Sequence, residues 1–128
     1  MSAIKKIVFG EGLMWSTVRE QKTATIRRYR PEAHDLKKGE VFVGEFKDGL
    51  DILMQATADT ETKPFKELGD KESKESGFKD AKDAKSGLKH WYQDLKMTEM
   101  AAILRHEVYK VNGIPVVSFN EHASEAAE

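Results

Sequence analysis

The segment 21–28 carries the side chains in this chain that are best suited to chemistry. Its sequence is Gln-Lys-Thr-Ala-Thr-Ile-Arg-Arg, with a lysine, two threonines and two arginines around two apolar residues. Alternation along a β-strand predicts that the apolar residues face a core, whereas Thr23, Thr25 and Arg27 form the opposite face. A partly buried Lys22 could activate a hydroxyl, and an arginine could bind a phosphate or a base edge. The segment therefore predicts a polar binding face that could also be catalytic.

An exposed strand surface is an alternative interpretation of this segment, because threonine is favoured in strands and arginine keeps a surface soluble. The hypothesis of a site requires Lys22, Thr25 and Arg27 around one cavity, together with a carboxylate. Residues 19–38 hold seven Lys or Arg against three acids, although the whole chain has a net charge of −1. We therefore expect a local basic patch in a chain that has no global attraction to nucleic acid or acidic membranes.

Composition limits the remaining classes of function. The 128 residues include no cysteine, which excludes disulfides and thiolate catalysis. The four histidines share no metal-ligand spacing, and the chain has no phosphate-binding glycine loop, nucleophile elbow or metalloprotease motif. No apolar run approaches the roughly 20 residues of a membrane span. We therefore predict a cytoplasmic protein with no metal, no cofactor and no membrane partner, and the sequence does not determine its oligomeric state.

Hydrophobic periodicity predicts a single α+β domain over residues 1–120 and a flexible acidic tail over 121–128. The strands are predicted at 5–9, 22–28, 41–47 and 50–58, and as a hairpin over 97–119. The helices are predicted at about 13–21 and 79–92, with one helical turn at 64–68 and a loop at 29–38. Five to six strands, mostly joined as hairpins, and two helices indicate a small, mostly antiparallel β-barrel whose ends are covered by helices.

Two finer predictions concern packing. Apolar residues of the second helix recur at a spacing of three and four and predict one buried stripe: Phe78, Ala81, Ala84, Leu88, Trp91 and Leu95. A two-residue turn at Asn112-Gly113 predicts that Val111 pairs with Ile114. The same register pairs three further positions: Tyr109 with Val116, Val108 with Val117, and His106 with Phe119.

The segment 21–28 resembles the Gly-x-Lys-Thr-x-Thr-Ile-Arg signature of ASCH domains (activating signal cointegrator homology), which belong to the PUA-like superfamily. Three further stretches resemble the pattern of the family: Lys37-Lys38-Gly39-Glu40-Val41; Glu75-Ser76-Gly77-Phe78 followed by Leu88 and Trp91-Tyr92; and Val116-Val117-Ser118-Phe119. The resemblance extends from about residue 4 to 119. It implies a PUA-like β-barrel with a cleft, formed by the signature, that binds RNA or a modified nucleoside.

One bacterial branch of the family consists of small amidohydrolases that act on N4-acetylcytidine. In that branch the catalytic set is the lysine and threonine of the signature together with a glutamate near the start of the long helix. The resemblance therefore implies the set Lys22, Thr25 and Glu75. In this sequence Ser76 directly precedes Gly77, and Glu75 lies one residue earlier.

Two predictions of function follow. The first is an RNA- or nucleoside-binding domain, on which Trp15 or Tyr29 could stack a base. Its basic cleft would be formed by Thr23, Arg27, Arg28, Arg30 and Lys37. The second is an amidohydrolase acting on an acylated cytidine through the implied catalytic set. A structural or interaction domain, with the patch as ordinary surface, is a third interpretation.

Overall fold

A computed structural model of the chain describes residues 4–10, 17, 19 and 22–121, and within them the fold is α+β. The strands of this part are β1 (Lys6–Phe9), β2 (Ala24–Arg28), β3 (Val41–Phe46), β4 (Leu50–Ala56), β5 (Glu61–Pro64), β6 (Met100–Val108), β7 (Lys110–Val111), β8 (Ile114–Pro115) and β9 (Val117–Phe119). The helices are α1 (Pro31–His34), α2 (Asp70–Glu75) and α3 (Ala81–Trp91), and a 3-10 turn spans Phe65–Glu67. Apart from residues 17 and 19, the predicted helix at 13–21 lies outside the described residues, as does the tail beyond residue 121.

Seven of these strands form a curled half-barrel sheet in the order β1-β3-β4-β6-β2. Strand β5 adds to this sheet beside β6, and β9 adds beside β4. Strand β1 runs parallel to β3, whereas the other pairings are antiparallel. Because β1 and β2 stand at the two ends of the order, the half-barrel has an opening between them.

Strand β6 contributes to two cores, one on each face. Ala102 and Leu104 pack inside the curl of the sheet, in a cluster that contains Phe42. Ala101 and Ile103 pack on the opposite face, in a cluster with Leu88 of α3. A strand that is buried on both faces has a continuous apolar sequence in place of an alternating one.

The described residues form nine strands, more than the predicted five to six. The main reason is that the hairpin predicted over 97–119 is divided into four strands, β6 to β9. Val111 pairs with Ile114 as predicted, and Asn112 and Gly113 have the positive φ values, 53° and 78°, of a type I′ turn. The pairings predicted beyond this turn are wrong. Pro115 has no N–H to continue the ladder, and β4 provides a competing edge that is longer.

Strand β4 accepts two strands along one edge. Its residues 54–56 pair with residues 106–108 of β6, and its residues 50–52 pair with β9. The turn β7–β8 projects between these two partners. Val117 therefore lies opposite Ile52, and Phe119 lies opposite Leu50, where the sequence predicted pairing within the hairpin.

Helix α3 confirms the predicted helix at 79–92 and begins where the Asp80 side chain accepts a 2.8 Å hydrogen bond from the Asp83 N–H. Ala84, Leu88 and Leu95 are buried as predicted. Trp91 is not, since 74% of its surface is exposed. Helices α1 and α2 were not predicted, and α1 occupies part of the predicted loop at 29–38.

Candidate ligand-binding site

A cavity of about 680 Å³ lies at the opening between β1 and β2. Lys22, Thr25 and Arg27 line it, so the fold brings together the three residues around which a site was predicted. Its remaining walls come from the end of β1, the turn after β3, the connection between α2 and α3, and the end of α3. The volume is in the range of cavities that bind small molecules and cofactors. We call it the main cavity.

Lys22 is buried at the entry to β2. Its Nζ donates a 2.9 Å hydrogen bond to the carbonyl oxygen of Ser76, and the N–H of Thr23 donates one of 2.9 Å to the carbonyl of Glu75. These bonds fasten the start of β2 to the end of α2. Burial, with a further contribution from the charge of Arg27, lowers the pKa of Lys22 to about 8. The amine can therefore attract an anion at neutral pH and act as a base at slightly higher pH.

Arg27 presents a guanidinium without a carboxylate partner among the described residues. It lies over the ring of Phe9, 5.1 Å from the ring centre, and shares the cavity wall with Tyr92. Phe9 in turn stacks on Phe46 at 4.6 Å. Burial lowers the pKa of Arg27, but a guanidinium stays charged at physiological pH. The result is a positioned positive charge that is available to a ligand.

Aromatic side chains form the wall of the main cavity opposite β2. Phe78 packs against α3 at Gly87, where a Cβ atom would come within 2.9 Å of its ring. Tyr92 lies beneath the guanidinium of Arg28 at 5.1 Å. Trp91, at the last residue of α3, presents its exposed indole to the rim. Such rings offer flat surfaces on which a planar base can stack.

The other predicted site residues are placed differently. Glu75 directs its carboxylate to Arg105, with 3.3 Å between Oε2 and Nε, and it does not line the main cavity. Lys37 is exposed and lies outside this cavity. Thr23 does not line it either, and its backbone forms hydrogen bonds with Glu75 and His106. Tyr29 donates a 2.6 Å hydrogen bond to Asp35 away from the cavity. Trp15 lies outside the described residues.

Arg28 and Arg30 line a second cavity, next to the main one, together with Arg27. Arg28 is neutralised by two acids, because its guanidinium lies 2.8 Å from Asp94 and 3.4 Å from Glu99. The three arginines of the predicted basic cleft are therefore divided between two cavities, and Thr23 and Lys37 line neither of them.

Several residues at or near the main cavity were not predicted. Lys47 and Ser76 line it, and the Ser76 hydroxyl is buried without a hydrogen-bond partner among the described residues. His106 lies behind Lys22 and packs edge-on against Phe9. Burial, together with the charges of Lys22 and Arg27, lowers the pKa of His106 to about 3, so its ring is neutral. No local pattern in the sequence marks these residues.

Neither a metal centre nor a membrane-spanning helix is found in the described part of the chain. No group of three or more histidine or acidic side chains there is arranged to hold a metal ion. None of the helices formed by those residues is long and apolar enough to cross a bilayer.

A solved structure with a similar fold is the crystal structure of protein EF3133 from Enterococcus faecalis V583, of the family model DUF984. The two folds align with a TM-score of 0.56 over 84% of this chain and 81% of that chain, with 16% sequence identity. No family model matches the chain, and no curated protein matches it in sequence. The comparison therefore shows a shared fold.

Proposed function

We propose that this chain is an RNA- or nucleoside-binding domain that holds a base in the main cavity. The observation that carries the proposal is one cavity in which Arg27 and the buried Lys22 face an aromatic wall with an exposed tryptophan. Stacking suits the planar base, and the cations suit its carbonyl oxygens or a phosphate. The signature at 21–28 and the half-barrel support an ASCH domain of the PUA-like class, for which the resemblance implies this type of ligand.

Binding of nucleosides and short single-stranded RNA at low salt tests this function. We expect saturable binding by calorimetry, and an affinity for RNA that falls as salt rises because phosphate contacts release counterions. A panel containing the four nucleosides, N4-acetylcytidine and RNA tetranucleotides covers the ligand class. The absence of binding to all of them at low salt would reject the proposal.

Replacing Trp91 with alanine is expected to weaken binding about tenfold, because base stacking on an aromatic ring contributes about 1–3 kcal/mol. The free energy of unfolding should change by less than about 0.5 kcal/mol, since the side chain is largely exposed. Phe119→Ala is the matched control, because this exposed aromatic residue lies away from the cavity. Equal affinities of wild type and Trp91→Ala would show that the indole does not contact the ligand.

A second candidate function, hydrolysis of the amide of an acylated cytidine, is favoured by one observation. Lys22, with its lowered pKa, and the hydroxyl of Thr25 line the same cavity. In this reaction Thr25 Oγ would attack the amide carbon while its proton passes to the neutral Lys22 amine. The amino group of cytidine would leave with that proton, and water would then release acetate from the threonine ester. Activity would rise with pH as Lys22 loses its proton.

The placement of Glu75 separates the two candidates. Its carboxylate pairs with Arg105, and no carboxylate lines the main cavity among the described residues. Ser76, which lines the cavity, directly precedes Gly77, where the resemblance to the amidohydrolase branch implies a glutamate. A site without that carboxylate supports binding more directly than hydrolysis, so binding is the first candidate.

Incubation with N4-acetylcytidine, followed by chromatography for cytidine, tests the second candidate. If cytidine forms, we expect Thr25→Val to abolish the reaction, because the attacking oxygen is removed. Glu75→Gln should retain it and reduce stability by about 1 kcal/mol, because Arg105 loses an ionic partner. A folded Glu75→Gln variant without activity would show that Glu75 is catalytic. An inactive wild type would reject hydrolysis.

A further inference from the structure

The second cavity has a volume of about 280 Å³ and is lined by Arg27, Arg28, Arg30, His34 and Tyr92. Arg27 and Tyr92 line the main cavity as well, so the two cavities adjoin at this pair. The smaller one differs from the main cavity in its chemistry. Three of its five lining residues are arginines, and no acidic side chain is among the residues described there.

Two of the three guanidinium groups have no carboxylate partner among the described residues. Arg28 is paired with Asp94 and Glu99, whereas Arg27 and Arg30 have no ion pair with a carboxylate among the described residues. Guanidinium groups bind phosphate oxygens through parallel N–H donors, and they are more weakly hydrated than ammonium groups. The cavity therefore has an excess of positive charge that suits a phosphate group.

His34 adds a neutral donor to the same wall. Its Nδ1 accepts a 3.0 Å hydrogen bond from the N–H of Arg30, which places the ring proton on Nε2. The side chain is buried, and burial together with the charges of Arg27 and Arg30 lowers its pKa to about 4. His34 is therefore uncharged at neutral pH and can donate one hydrogen bond from Nε2.

We propose that the smaller cavity binds the phosphate of a nucleotide whose base lies in the main cavity. The ligand is then a nucleoside monophosphate or a nucleotide within RNA, and a free nucleoside fills half of the site. This inference rests on the proposed function for the position of the base. Arg30 and His34 are phosphate-binding residues, and Arg27 lies between the two halves.

Paired ligands that differ by one phosphate test the inference. We expect each nucleoside 5′- or 3′-monophosphate that binds to do so about tenfold more tightly than its nucleoside, because the phosphate adds charge-assisted hydrogen bonds. Arg30→Gln should remove this difference and leave the affinity for the nucleoside unchanged. Arg30 is exposed, so the variant should fold. Lys110→Gln, which removes an exposed positive charge on β7, is the control.

The same titrations distinguish the source of the phosphate. A preference for a 5′-monophosphate over an RNA tetranucleotide indicates a free nucleotide, and the reverse preference indicates RNA. Equal affinities for nucleoside and monophosphate overturn the phosphate subsite but leave the proposed function intact.

Inorganic phosphate tests the subsite independently of the base. We expect it to shift the NMR signals of the His34 ring in the wild type and to shift them much less in Arg30→Gln. If no nucleoside or RNA binds, the proposed function fails, and this titration decides the subsite alone. An unchanged His34 ring at saturating phosphate overturns it.

Discussion

Replacing Lys22 with methionine is expected to stabilise the fold by about 2 kcal/mol at pH 7. The lowering of its pKa from 10.5 to about 8 corresponds to a cost of about 3 kcal/mol for holding the charged amine in the protein. Methionine removes that cost, whereas the loss of the hydrogen bond to Ser76 destabilises the fold by about 1 kcal/mol. The same substitution should lower the affinity for the proposed ligand about tenfold, because the ligand would lose a charged contact.

The pH dependence of this effect has a defined sign. Between pH 8 and pH 10.5 the unfolded chain binds a proton at Lys22 that the folded chain does not bind, so the wild type gains stability as pH rises. The advantage of Lys22→Met should therefore be greatest below pH 8 and shrink towards pH 10.5. Urea unfolding at several pH values measures it, with Lys110→Met as a control at an exposed position. A Lys22→Met variant that is less stable than wild type at pH 7 contradicts this account.

Replacing Lys63 with methionine is expected to destabilise the fold by about 3 kcal/mol, because it leaves a buried carboxylate without its cation. That carboxylate belongs to Glu72 of α2, which is 5% exposed and forms an ion pair with Lys63. Glu72 also stands three residues after Gly69, which caps α2, and this is the position of the glutamate in a capping box. The double variant Lys63→Met/Glu72→Gln should recover most of the loss. Equal stabilities of the single and double variants would contradict the assignment.

Acid titration of the wild type reports on the same pair. Burial opposes the ionisation of Glu72, but the hydrogen bonds from Lys63 and from Gly69 outweigh it and lower the pKa to about 2. Because the unfolded value is 4.5, the stabilisation is present above pH 4.5 and is lost as pH falls towards 2, by about 3 kcal/mol in total. As pH falls between these values, the melting temperature of Lys63→Met should decrease less than that of the wild type. Ligand affinity should also fall in this variant, since the end of α2 holds Lys22.

Features that depend on neighbouring residues could be predicted from the sequence. The turn between β3 and β4 follows from Asp48-Gly49, and the type I′ turn follows from Asn112-Gly113. Lys22, Thr25 and Arg27 lie on one short segment, so strand alternation was sufficient to group two of them on one face. Helix α3 could be predicted from its apolar spacing and from the capping Asp80.

Features that depend on distant segments could not be predicted. Helix α2 has the sequence Asp-Lys-Glu-Ser-Lys-Glu, which has no apolar period, and its two glutamates form ion pairs with β5 and β6. The spacing of Trp91 matches the buried stripe, but α3 ends at that residue and leaves its ring at the rim of the main cavity. Strand β9 could have paired within the C-terminal hairpin, but it pairs with the edge of β4. These choices are made by tertiary packing, which overrides local preference.

The shared position of Arg27 and Tyr92 has a thermodynamic consequence for any pair of ligands. Each cavity includes both side chains in its wall. If a ligand in one cavity moves this pair, it changes the free energy of binding in the other. Linkage then requires reciprocity: the factor by which the first ligand changes the affinity for the second equals the factor by which the second changes the affinity for the first.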